Sequence, residues 1–554
     1  MALTDDQLLE AGKQTGLIEA PVLDKLRTEA RRKRSSLLAI VLARYRFPIS
    51  ALYRAVAEKN NIRFIDLNSH PIHTELLKKI PASLLKRKLL LPVVDEDGAI
   101  LVVPDPNDRA TIDVVQRLMG KPLPLAMADL ALLELKVARL FSDKEAAANK
   151  DTKSTVEDEV DLVALLDTIL REAYLNQASD VHFLTEEEGL RVRLRIDGKL
   201  RDYPISADLS VVAGLISRIK VLAGLDIAEQ RQAQDGGCSY HLAAPIDKEF
   251  NIRVATAPTR LGERITMRLL GQESGGLSLT DLGMLPDDLR RFRTAIKNPY
   301  GLILLTGPTG SGKSTTLFAA LQEINDPEVN IMTVENPIEY VLPGASQIQT
   351  GTKIGFADAL RSLLRHDPDV LMVGEIRDFE TADVSVKAAM TGHMVLSTLH
   401  TNNAVSAVTR LIDIGCEAFL IGSTMTAVIA QRLVRHLCTH CRQLRPATTE
   451  ELVELNASPD ERVEIYDAVG CAVCQGRGFR GRLGLFETLW FDEKLARLVA
   501  NGASEEEIEH AASTGHNLKF MWEDGVEKVR NGMTTLAEVR DVAVYKTRPV
   551  VEVS

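Results

Sequence analysis

Gly301-Leu-Ile-Leu-Leu-Thr-Gly-Pro-Thr-Gly-Ser-Gly-Lys-Ser-Thr315 is the stretch on which the fold turns. Its apolar start, Gly301 to Thr306, reads as a buried strand. The following Thr316-Leu-Phe-Ala-Ala-Leu321 has the pattern of a helix. Between them, Gly307, Pro308, Thr309, Gly310, Ser311, Gly312, Lys313 and Ser314 fit G-x-x-x-x-G-K-[ST], the phosphate-binding loop. Glycines let backbone N–H groups converge on phosphate oxygens, and the helix start adds positive potential. Lys313 would meet the β- and γ-phosphates, the Ser314 hydroxyl would hold Mg²⁺, and Thr315 closes the ATP-binding run.

Downstream of the loop, Asp369-Val-Leu-Met-Val-Gly-Glu375 is an apolar strand ending in an acid. An acid there stands beside the phosphate loop, where it can orient water or hold Mg²⁺ through water. Ile331-Met-Thr-Val-Glu335 ends in a carboxylate in the same way, with Glu339 close behind. His393 and His400 flank the strand-like Met394–Leu399 and read as γ-phosphate sensors, since they follow both acidic strand ends. Cys438-Thr-His-Cys441 and Cys471-Ala-Val-Cys474 are two C-x-x-C pairs. Four thiolates close a structural Zn²⁺ site, and the 29 residues between the pairs imply a helix inserted between the knuckles. Cys238 and Cys416 are unpaired and read as buried or incidental.

Working outward, 554 residues exceed what one core can organise. Residues 1–142 read as a mainly helical docking domain without a catalytic constellation. Residues 143–160 are polar and charged, a linker. Residues 161–285 carry strands in which arginine alternates with apolar residues, and 286–554 hold the nucleotide core, with the tetracysteine module at 436–482. Arg31-Arg-Lys-Arg34 reads as a solvated helix face. The charged fraction of 26%, net charge of −11 and sequence pI of about 5.6 suit a soluble protein and argue against a dedicated nucleic-acid motor. Aromatic–basic stretches are missing too. Intact Lys313, Ser314 and Glu375 argue against a non-hydrolysing scaffold. With no apolar run of spanning length and no signal-like start, the chain is expected in the cytoplasm.

These boxes together resemble the secretion ATPase superfamily of type II secretion and type IV pilus assembly, over about residues 160–545. Val334-Glu-Asn-Pro-Ile-Glu339 resembles its Asp box, with Asn336 where Asp is usual. Gly374-Glu375 resembles its Walker B, and Gly392–Asn402 its His box. Gln431-Arg-Leu-Val-Arg435 and Gly481-Arg-Leu-Gly-Leu-Phe-Glu487 match as well. The resemblance implies an α/β multidomain fold: a RecA-like core, a preceding PAS-like α/β domain, a zinc-binding insertion and a helical docking domain. It implies a catalytic Glu375 assisted by Glu335 and His400. Arg253 and Arg268 would reach the phosphates from the second domain. Arg361, Arg365 and Arg482 would surround the nucleotide with His393. ATP, Mg²⁺ and Zn²⁺ are the implied ligands. The implied assembly is a homohexamer, peripheral at the inner membrane, working on a platform protein and docking a membrane-anchored partner. The cysteine module belongs to assembly rather than retraction motors. Arg-Leu-Gly repeats, through which some members bind cyclic di-GMP, are absent from the first domain, so that ligand is not implied.

Overall fold

Six consecutive buried residues, Gly301–Thr306, form the central strand of the largest sheet. In this computed structural model, Leu302 and Leu304 point into one apolar cluster and Ile303 and Leu305 into another. A strand buried on both faces belongs to a parallel sheet covered by helices on each side. Burying each of these four side chains contributes on the order of 2 kcal/mol, which explains the unbroken apolar run. The structure describes residues 3–546 except 19, 34–35, 46–48, 66, 68–69, 96–97, 131–132, 135, 138–139, 141–154, 204, 206–208, 244–245, 271–277, 352, 459, 472 and 516.

The chain forms two compact units, Met1–Gln272 with Cys471–Gly476, and Glu273–Gly470 with Arg477–Ser554. The first begins with four helices, Asp5–Gln14, Ala20–Lys33, Leu37–Tyr45 and Ile49–Lys59. Next come strands β1 (Arg63–Phe64), β2 (Leu91–Asp95), β3 (Gly98–Val102) and β4 (Leu125–Met127), in the order β1-β4-β3-β2. β2 and β3 form an antiparallel hairpin, Leu91 opposite Val102 and Asp95 opposite Gly98. The other two strands are three residues long or shorter, too short to show a period.

A long helix, Thr155–Leu175, leads into a second sheet. It starts inside the expected 143–160 linker, where Val156, Val160 and Val163 recur at helical spacing among the charges. The rest of the expected linker, residues 143–154, lies outside the described residues. The second sheet consists of β5 (Ala178–Glu186), β6 (Gly189–Ile196), β7 (Lys199–Tyr203), β8 (Gln234–Leu242), β9 (Lys248–Thr259) and β10 (Gly262–Leu270). Its order is β7-β6-β5-β10-β9-β8, all antiparallel. The helices Thr155–Leu175 and Leu209–Leu222 pack on one face, with Val181, Phe183, Val192 and Met267 beneath them. Arginines line the other face, because strand side chains alternate.

The second unit holds β11 (Gly301–Thr306), β12 (Ile331–Glu335), β13 (Ser346–Gln349), β14 (Val370–Val373), β15 (Met394–Leu399), β16 (Met425–Leu437), β19 (Phe479–Trp490) and β20 (Leu518–Lys519). Their order is β13-β12-β14-β15-β11-β16-β19-β20. The first six are parallel, and β19 and β20 close the edge antiparallel. β17 (Gln443–Pro446) and β18 (Glu464–Asp467) make a separate ribbon with the helix Thr449–Glu454 between the cysteine pairs. The inserted helix expected from the spacing is therefore present, joined by two strands. Among the described residues, no helix is long and apolar enough to cross a membrane.

Candidate nucleotide site and metal centre

Parallel strands deliver their carboxyl ends to one edge, and in an open α/β sheet that edge is where ligands bind. Thr306 ends β11 and pairs in register with Leu399 of β15, while Val373 of β14 pairs with Val334 of β12. The loop Gly307–Gly312, Glu335, Glu375 and His400 thus leave the same edge although they lie far apart in sequence.

The loop is shaped by its glycines. Gly307, Gly310 and Gly312 have φ of 145°, 78° and 88°, values that glycine alone adopts freely. At Gly307 space matters as well, because a Cβ would stand 2.5 Å from the carbonyl oxygen of Gln431 on β16. The helix Lys313–Ile324 follows, with Thr316 Oγ1 donating to Gln431 Oε1 at 2.9 Å in a fully buried pair. Arg432 donates to Asn402 O and Gln431 O. The loop is therefore backed by β16.

Lys313 Nζ donates to Gly307 O at 2.7 Å and Pro308 O at 3.1 Å. Burial pushes its ammonium below the ordinary value, and the charge of Glu375 pulls it back. Ser311 Oγ is buried with no hydrogen-bond partner among the described residues. A buried orphan hydroxyl and a partly desolvated lysine at the start of a helix are features a phosphate would satisfy. Ser314 is exposed at the helix start, available to a cation, and Thr315 Oγ1 is bonded to Tyr340 OH.

Glu375 is 14% exposed, and both its oxygens are engaged. Arg377 Nη2 lies 2.6 Å from Oε1, and His400 Nε2 lies 3.3 Å from Oε2. The carboxylate holds the Arg377 proton more tightly than usual. Glu335 Oε1 accepts from Thr333 Oγ1 at 2.6 Å and Gln347 Nε2 at 3.0 Å.

Other expected residues fall elsewhere. His393 precedes β15, where its carbonyl accepts from Gly301 N. It stands at the opposite edge, a six-residue strand or about 20 Å from the phosphate loop. Its Nδ1 is against Ala388 O at 2.9 Å. The expectation that it senses the γ-phosphate is corrected: a strand between two histidines carries them to opposite edges. Arg365 likewise sits in the turn entering β14, next to His366, whose carbonyl is bonded by Asn330. Arg361 pairs with Asp358 at 2.9 Å and Glu380 at 3.7 Å. Neither arginine meets the phosphate loop within this unit. Arg482 is exposed on β19, opposite Arg435 in the part of β16 that runs past the loop. Arg253 and Arg268 are exposed cross-strand neighbours on β9 and β10.

The sequence reading gave no role to Arg377, Gln431 or Arg432. Arg377 follows the acidic strand end by two residues, which is a signal. Gln431 and Arg432 lie in the Gln431–Arg435 stretch that matches the family, but that match names no contact: Gln431 meets Thr316 across 115 residues, and Arg432 reaches backbone carbonyls.

Sγ atoms of Cys438, Cys441, Cys471 and Cys474 lie within 4.8 Å of one another. Those of Cys471 and Cys474 are 3.8 Å apart. At a Zn–S bond of about 2.3 Å, a tetrahedron has edges of about 3.8 Å, so this pair already has the separation a zinc ion requires. Gly470 N donates to Cys441 Sγ and Cys471 N to Cys474 Sγ, contacts that stabilise thiolates.

A phosphate loop with an acid at the end of a strand two places along, on a parallel sheet clad by helices, defines a P-loop ATPase. Within that class, residues 155–541 match the family described as "Type II/IV secretion system protein", and residues 60–147 match the "MshEN domain". The chain belongs to the type II/IV secretion system family. It is 42% identical over 486 residues to the type II secretion system protein E of Pseudomonas aeruginosa, covering 83% of this chain and 95% of that one. The type IV pilus assembly ATPase PilB of Myxococcus xanthus is 36% identical over 516 residues, 88% and 90% of the two chains. The crystal structure of the ATPase DotB from Legionella pneumophila shares the fold, with TM-score 0.52 at 22% identity, over 71% of this chain and 97% of that one.

Proposed function

We propose that this chain hydrolyses ATP to drive pseudopilus assembly and protein export by type II secretion. The carrying observation is Glu375, held at the edge that the phosphate loop shares, with its charge acting on Lys313. Lys313 exchanges two loop carbonyls for phosphate oxygens, a stronger charge-assisted pairing. Glu375 yields one oxygen from Arg377 or His400 to the attacking water, orients it and takes its proton as the bond from the γ-phosphorus to the bridging oxygen breaks. Glu335, locked by Thr333 and Gln347, keeps its other oxygen for the water around the ion. Mg²⁺, held through Ser314, would neutralise charge on the β- and γ-oxygens.

Arg253, Arg268 and Arg482 complete the site in a ring of six chains, peripheral at the inner membrane. That ring acts on a platform protein and an anchored partner, with no nucleic acid involved. The higher identity to the secretion relative favours this reading over pilus assembly. The test is Glu375→Gln, expected to bind ATP at wild-type affinity while turnover falls about 100-fold or more, beside Lys313→Ala, which should lose binding or turnover. A Gln variant that turns over ATP at the wild-type rate would remove Glu375 from the chemistry. In cells lacking their own copy, loss of exoprotein with pili retained supports the secretion role; the reverse supports the pilus role.

A further inference from the structure

On the arginine face of the second sheet, one acid is buried among the bases. Cross-strand register sets Arg195 of β6, Asp180 of β5, Arg268 of β10 and Arg253 of β9 in a single row. With strands about 4.8 Å apart, the row spans about 14 Å. The flanking residues Val181, Leu194, Met267, Ile252 and Val254 are all in the core, so these four side chains share the opposite face. Asp180 is only 5% exposed, whereas the Arg268 side chain is 55% exposed.

The contacts are directional. Asp180 Oδ1 accepts from Arg268 Nε at 2.9 Å. Oδ2 accepts from Ser179 Oγ at 2.8 Å and stands 3.7 Å from Arg195 Nε. A guanidinium gripped at Nε keeps both terminal nitrogens for another acceptor, and its planar fork matches phosphate. Arg268 on its own would have a long, rotatable stem. Anchored on a buried carboxylate that is itself tied to Ser179, it presents its fork in one orientation.

We propose that Asp180 is a positioning residue for ATP hydrolysis, holding Arg268 by Nε so that the terminal nitrogens face the triphosphate. This rests on the reading that Arg268 meets the phosphates. Asp180 does not touch the nucleotide, and its charge opposes the phosphates by Coulomb repulsion. Orientation and charge therefore pull apart on substitution. Asp180→Asn keeps the shape, weakens the grip on the arginine by removing the charge from the bond, and makes the row more positive. Turnover falls while KM holds or decreases, a split that general loosening of the sheet would not produce.

The experiment is steady-state ATPase on the full chain for wild type, Asp180→Asn, Arg268→Ala and the double variant, with melting of the nucleotide-free proteins alongside. Expected are a kcat drop of about 10-fold for Asp180→Asn and about 10- to 100-fold for Arg268→Ala, with the double variant no slower than Arg268→Ala. A slow Arg268→Ala beside a wild-type Asp180→Asn, or a double variant showing the product of the two effects, overturns the positioning role. Arg268→Ala at the wild-type rate overturns the reading of Arg268 itself. Should Asp180→Asn melt early, Ser179→Ala decides. It keeps the charge and loosens its tether, so a few-fold lower kcat with unchanged melting supports the proposal and a wild-type kcat refutes it.

Discussion

Adding a methyl group at Gly307 tests whether the phosphate loop is shaped by what lies behind it. Three loop glycines share positive φ but differ in surroundings. At Gly310 a Cβ meets nothing within 4 Å, so Gly310→Ala costs only the backbone term, about 1–2 kcal/mol. At Gly312 the nearest atoms are the Gln431 Nε2 at 2.8 Å and a Leu433 methyl at 3.3 Å, both side-chain ends, of which the methyl can swing away while the amide yields only by straining its buried bond with Thr316. At Gly307 the Cβ meets Gln431 O at 2.5 Å, Ser311 Oγ at 2.7 Å and Arg432 Nη1 at 3.0 Å. Gln431 O is backbone of β16, a strand paired on both sides, so the loop has to move. Restoring ordinary contact of about 3.4 Å needs a shift of about 0.9 Å (3.4 − 2.5). Overpacking of that kind adds about 1–3 kcal/mol to the backbone term. The loop also carries Lys313 through its bond to Gly307 O, and misplacing a reacting group by about 1 Å can cost roughly 100-fold. The assay is melting of the nucleotide-free protein, following the transition that a non-hydrolysable ATP analogue raises, with nucleotide affinity beside it. The expected order of destabilisation is Gly307→Ala above Gly312→Ala above Gly310→Ala, with affinity falling at least 10-fold for Gly307→Ala. Equal melting losses at 307 and 310 would refute the steric argument and leave backbone conformation as the whole effect.

Two further outcomes follow from groups outside the nucleotide site. Protein purified without chelator should carry about one Zn²⁺ per chain. Cys471→Ser should release it and loosen residues 436–482 while nucleotide still binds; metal analysis finding no zinc contradicts this. Burial, with Asp129 adding charge, pushes the Glu172 carboxyl up to about 8. Because its folded value exceeds the ordinary value of about 4.3, folding favours the protonated form; stability is greatest below that pH and is lost as pH rises toward 8. Glu172→Gln should abolish that decline and stabilise the second-sheet domain at pH 8, by an amount on the order of a few kcal/mol. Parallel melting curves for the two proteins between pH 5 and 8 would show that Glu172 is not the group responsible.

Much of this protein is written locally, and that part could be read from the chain. The phosphate loop, the acidic strand ends at Glu335 and Glu375, and the paired cysteines are short contiguous patterns. Their chemistry requires those residue types at those spacings, so Lys313, Ser314, Cys438 and Cys474 could be named with no structure at all. Which edge of the sheet a residue reaches is not local. His393 and His400 look equivalent as flanks of one strand, yet only His400 reaches Glu375, because the direction of β15 is set by its parallel pairing with β11 and β14. Partners brought in from distant strands were equally unreadable. Gln431 and Arg432 back the loop across the β11–β16 pairing, and Asp180 meets Arg268 only because β5 and β10 align in one register. Sequence determines what each residue can do chemically; strand direction and register, which depend on cooperative pairing of remote segments, decide which residues do it together.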